Sequence, residues 1–61
     1  MKKVVSFQMK KELSNSVGDL WRGVGFIGGD CFLADGVFNG YTKKQIADIL
    51  KAKIRQKALA Q

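Results

Sequence analysis

All seven glycines fall between Gly18 and Gly40, and the stretch that follows Gly40 contains none. Each glycine inside a helix costs about 1 kcal/mol relative to alanine, so the glycine-bearing middle is poorly suited to helix while the last third is free to form one. This partition divides the chain into strands and turns followed by a helix. Val5, Phe7 and Met9 alternate with Ser6 and Gln8, which predicts a strand over about 3–11 with one apolar face. Ser14-Asn15-Ser16 and Gly18-Asp19 are turn-forming, and the run from Leu20 to Ile27 reads as a second strand over 20–27. A helix across Val17–Arg22 is the competing reading, and Gly18 and Gly23 count against it. Gly28-Gly29-Asp30 suits a tight hairpin into a short third strand over 30–34.

The helix is expected over about 42–59. Thr42 stands at the N-cap position, Gln45 completes a capping box, and Tyr41 is placed to staple onto Ile46. At 100° per residue Ile46, Ala47, Leu50 and Ile54 share one stripe, with Lys44, Asp48, Lys51 and Arg55 opposite. Lys57 falls on the apolar side, so the last turn or two should overhang the body of the domain. The expected fold class is α+β: one small two-layer domain spanning 1–61, with a three-stranded antiparallel sheet (βββ) followed by a C-terminal amphipathic helix. One helix cannot cover both faces of that sheet. Alternation sets Leu20, Val24 and Phe26 on one face and Trp21 and Ile27 on the other with Gly23 and Gly25. The uncovered cluster is expected to be Trp21 with Phe32, near Phe38 and Tyr41, unless a connecting loop folds over it.

At 61 residues the core must be small, because a chain of this length buries only about 60% of its unfolded surface. Cys31 is the single cysteine and there is no histidine, so neither an intramolecular disulfide nor an ordinary zinc site is expected to supplement that core. Self-association or a partner is the remaining supplement, and a homodimer is compatible with every functional reading. Cys31 is expected to be a small buried hydrophobe in a reduced, cytoplasmic setting. The apolar run after Met1-Lys2-Lys3 is interrupted by Gln8, Lys10 and Lys11, which argues against a secretion signal, and no stretch approaches the roughly 20 apolar residues of a membrane span.

Two local patterns resemble known motifs. Gly23-x-Gly25-x-x-Gly28 matches the dinucleotide fingerprint by letter, but that motif needs a helix opening at its third glycine, and here Gly29-Asp30 and a strand follow. Turns and close backbone approach, beneath Trp21 for example, are the expected uses of these glycines. Thr42-x-x-x-Ile46-Ala47-x-x-Leu50 resembles the opening helix of helix-turn-helix proteins. DNA reading by that family requires a turn and a second helix, and Lys51–Gln61 carries no turn signal. Nor do the residue types favour catalysis, for no nucleophile stands at a recognisable spacing from a base. Neither an enzyme nor a cofactor, metal or small-molecule substrate is expected.

Charge is the remaining signal. Eleven Lys and Arg against five Asp and Glu give +6, concentrated at the two ends of the chain. Lys43 and Lys44 occupy the first turn of the helix, where cations oppose the macrodipole unless an anion such as phosphate is bound there. The first reading is nucleic-acid binding (DNA or RNA) through Lys43, Lys44, Lys51 and Arg55, aided by Lys10 and Lys11, with Trp21, Phe32 or Tyr41 able to stack on bases. The second is a protein-binding regulator or inhibitor, of the kind mobile genetic elements encode, docking on an acidic surface of a larger enzyme.

Overall fold

The computed structural model describes Val4 and residues 6–60. Three antiparallel strands, β1 (Ser6–Ser14), β2 (Asp19–Ile27) and β3 (Asp30–Phe38), form an open sheet in the order β1-β2-β3, and a single helix α1 (Lys43–Leu59) follows. This is the expected two-layer α+β arrangement.

Local chemistry fixes the connections. At the β1–β2 turn the Asn15 side-chain carbonyl accepts from the N–H groups of Val17 (2.9 Å) and Gly18 (3.3 Å), and the Ser14 hydroxyl donates to Asp19 (2.6 Å). Ile27 and Asp30 pair across a two-residue turn in which Gly28 (φ 59°) and Gly29 (φ 87°) both take the left-handed conformation, as a tight hairpin compatible with strand twist requires. At the start of α1 the Gln45 N–H donates to Thr42 Oγ1 (3.2 Å) and the Thr42 N–H donates to Gln45 Oε1 (2.9 Å), completing the capping box. The Tyr41 ring, expected to staple onto Ile46, meets Phe38 edge-on at 5.5 Å between centroids.

Strand limits differ from expectation mainly in β1 and β3; β2 starts one residue early, at Asp19, and Val4 lies outside β1. β1 extends to Ser14, because a bulge between Lys11 and Leu13 lets pairing with β2 continue; positions 3 and 5 of the expected strand lie outside the described residues. β3 continues four residues beyond the expected limit of 34, to Phe38. Asp35-Gly36 reads as a turn, yet Asp35 pairs with Arg22 and Gly36 with Trp21. Gly36 has no left-handed backbone, and the Phe38 ring and Lys53 Nζ lie close over the space its missing side chain leaves.

The core lies between α1 and one face of the sheet. Ile46, Leu50 and Ile54 from the helix meet Ile27, Phe32, Ala34 and Phe38, with Phe7, Met9 and Trp21 partly buried around them. Leu50 and Ile54 are completely buried. A Cβ on Gly23 would stand 2.9 Å from the Phe7 ring and 3.3 Å from Leu50, and one on Gly25 would stand 3.1 Å from Ile54. The absent side chains let α1 approach the backbone of β2 closely, the use expected for these glycines, although Phe7, Leu50 and Ile54 rather than Trp21 fill the space. Leu50 over Gly23 and Ile54 over Gly25 also show that α1 runs in the direction of β2.

The last helical turn does not overhang as expected. Ala58 packs against the core, Lys53 donates to the Asp35 backbone carbonyl (3.0 Å), and Lys57 donates to that of Leu33. These carbonyls are two residues apart on an edge strand, so both point away from β2, and the two lysines occupy the hydrogen-bonding edge of β3.

Candidate functional site

Residues directly opposite each other in an antiparallel sheet share a face, so the register sorts the expected binding residues into two groups. Lys11 pairs with Trp21 on the face that α1 covers, whereas Lys10 pairs with Arg22 on the face that α1 leaves open. Phe32 is only 8% exposed and belongs to the core. The expectation of Trp21 and Phe32 as an uncovered cluster is therefore corrected: the helix takes that face because Gly23, Gly25, Ala34 and Gly36 leave room there for Ile46, Leu50 and Ile54. Phe32 is not available to stack on a base. Cys31 is corrected in the same way, being exposed on the open face opposite Phe26 rather than buried.

The residues on the helix side come together along the flank where α1 and β1 run side by side. Helix α1 lies over β2 and β3, so Phe7 and Met9 of β1 are only half buried beside it. The Lys51 ammonium lies 5.3 Å from the centroid of the Phe7 ring, and that of Lys11 lies 6.0 Å from the Trp21 ring. Cations at these distances from aromatic faces are attracted by the ring quadrupole, by about 0.5–1 kcal/mol where solvent is near. Phe7 and Lys11 are four residues apart on β1, about 13 Å at strand spacing. The flank thus alternates apolar ring and ammonium over that length. Trp21 is half buried, and its indole N–H is enclosed with no acceptor among the described residues.

The helix adds Arg55 and Lys44, both exposed, to this side, and Lys43 stands beside Lys44 in a first turn that holds no acidic residue. Gln45 N–H is taken by the cap, whereas the N–H groups of Lys43 and Lys44 have no partner among the described residues. The ion pair found among the described residues is Arg22–Glu12 at 3.8 Å, on the opposite side of the sheet. Asp48, although spaced to meet Lys44 or Lys51 along the helix, lies within ion-pair distance of neither. Lys11, Lys43, Lys44, Lys51 and Arg55 are consequently all without a carboxylate partner among the described residues. Tyr41 is 51% exposed at the helix entry, its ring against Phe38.

Sequence reasoning missed Phe7 as a member of this flank. Its alternation with Met9 marked it as core, and the available signal was geometric: a single helix centred on the small residues of β2 and β3 leaves β1 at the margin.

Among the described residues no helix is long and apolar enough to cross a membrane. Helix α1 runs unbroken from Leu50 to Leu59, where a helix-turn-helix unit would turn, so among the described residues the local likeness to helix-turn-helix proteins does not extend past Leu50. Compared with protein-family models, curated proteins and solved structures, the chain has no match.

Proposed function

We propose that this protein is a small non-enzymatic binding domain that holds a nucleic-acid strand along the flank between α1 and β1. The observation that carries this reading is the set of cations on that flank with no carboxylate to neutralise them. Unpaired Lys and Arg on a folded surface exert their full attraction on a polyanion and release its counterions on contact. Half-buried Phe7 and Trp21 between the ammonium groups add apolar surface that a sugar or base edge can cover, and the free N–H groups of Lys43 and Lys44 at a helix N-terminus suit one phosphate. Phosphate contacts dominate, so sequence preference is expected to be weak.

A second reading is supported by the apolar side chains of the open sheet face. In it the same cations steer the domain to an acidic protein surface, and the domain acts as a regulator of a larger enzyme.

The test is fluorescence anisotropy with labelled single-stranded and duplex oligonucleotides, using two charge-reversed proteins. Lys51→Glu with Arg55→Glu should weaken binding by at least about tenfold, whereas Lys10→Glu, on the other face, should change it by less than about threefold. Equal losses from both proteins would show that net charge rather than this flank governs binding. Absence of binding at physiological salt would remove the nucleic-acid reading and leave the protein-directed one.

A further inference from the structure

The face that α1 leaves open is built in cross-strand rows. Val24–Leu33, with the amide of Gln8 beside them, and Leu13–Leu20–Val37 are rows on either side of a charged one, Lys10–Arg22–Asp35. Leu33 is 53% exposed, Leu13 56% and Val37 59%, and Phe26 in the next row is 41% exposed. The β1 bulge is what puts Leu13 here: it brings Leu13 opposite Leu20, and without the extra residue Leu13 would point toward the other face.

Charge distinguishes this face from the rest of the molecule. The chain carries +6, but the central row together with Glu12, which pairs with Arg22, holds two cations and two carboxylates and sums to zero. With Lys57 reaching its β3 edge beside Arg22, Leu33 and Asp35, this face carries little net charge on a strongly cationic protein, so a second cationic copy can approach it. The order of charges then selects the geometry. A twofold axis crossing the strands through the charged row would set Lys10, Arg22 and Asp35 each against its own copy. A twofold axis running along β2 sets Lys10 of one copy over Asp35 of the other, twice, lays Leu13 over Val37, Gln8 over Leu33 and Leu20 over Leu20, and brings the two Arg22 side chains together on the axis, each beside its own Glu12. Aligned packing of two sheets keeps their strands within about 30° of each other, which this axis satisfies.

We propose that two copies of this chain associate through the open sheet face about a twofold axis parallel to β2, with Lys10 of each protomer paired to Asp35 of its partner. The two α1 helices then lie on the outer surfaces, and the flank between α1 and β1 stays free on each protomer. The proposal does not rest on what that flank binds. Association also buries apolar surface that the monomer leaves in water.

Sedimentation equilibrium of the full chain from micromolar to millimolar concentration tests this. The expected species at the upper end has twice the 6.7 kDa chain mass. Val37→Asp, Lys10→Asp and Asp35→Lys should each weaken the dimer by about tenfold or more, and Lys10→Asp combined with Asp35→Lys should restore it to within about threefold of the parent. All three positions are exposed, and circular dichroism of each variant confirms that the monomer is folded. A chain that stays monomeric throughout, as it would if the face served a different partner, overturns the proposal. So does a dimer indifferent to Val37→Asp, or a double variant no better than the single ones.

Discussion

Gly23 and Gly25 set how deeply α1 sits on the sheet, because Phe7, Leu50 and Ile54 occupy the space where their side chains would be. Gly23→Ala forces a Cβ to within 2.9 Å of the Phe7 ring and is expected to destabilise the fold by about 1–3 kcal/mol, measured as a lower urea midpoint at unchanged slope. Trp21 makes the opposite case. Its enclosed N–H has no acceptor among the described residues, so Trp21→Phe removes an unsatisfied donor together with some apolar area. The two effects offset, and the stability change should stay within about 1 kcal/mol in the same experiment. That glycines served close backbone approach was legible in the sequence, since the spacing matches a phosphate-binding fingerprint by letter while Gly29-Asp30 and a strand follow where that motif needs a helix. Which side chain filled each gap was not, because that depends on partners distant in the chain.

At the scale of elements, α1 was the most legible part. Thr42 and Gln45 announce its start, and the hydrogen bonds between them are present. Thr42→Ala should lower stability by about 1 kcal/mol, read from the thermal or urea midpoint. β3 was only half legible: Asp35-Gly36 carries turn chemistry, and only pairing with Arg22 and Trp21 holds it in the sheet. The β1 bulge left no local sign at all. Lys57 was read as a break in the apolar stripe, whereas with Lys53 it caps the edge of β3. Replacing both by alanine should expose that edge and raise light scattering at high protein concentration, with little change in helix content by circular dichroism.

Across the whole molecule the α+β architecture and the excess of positive charge could be read from residue order, and the sides on which they act could not. Both faces of β2 carry large apolar residues, so period-two alternation alone does not say which one the helix takes. The small residues decide it: Gly23, Gly25, Ala34 and Gly36 lie on one face, and a helix bearing Ile46, Leu50 and Ile54 fits only there. That choice buries Phe32, half-buries Trp21, leaves Phe26, Leu33 and Val37 in water, and separates Lys10 from Lys11. The molecule therefore has a cationic flank beside α1 and a charge-balanced apolar face behind the sheet, which suit different partners.

If the unpaired cations of the α1–β1 flank hold a polyanion, the salt dependence of oligonucleotide binding at fixed pH will show it. With Lys11, Lys43, Lys44, Lys51 and Arg55 engaged, the logarithm of affinity for a single strand should fall linearly with the logarithm of salt concentration, with a slope of about −3 to −4. In the Lys51→Glu, Arg55→Glu protein it should flatten by one to two units. A slope near zero, or one that the double charge reversal leaves unchanged, would contradict the assignment of function to this flank.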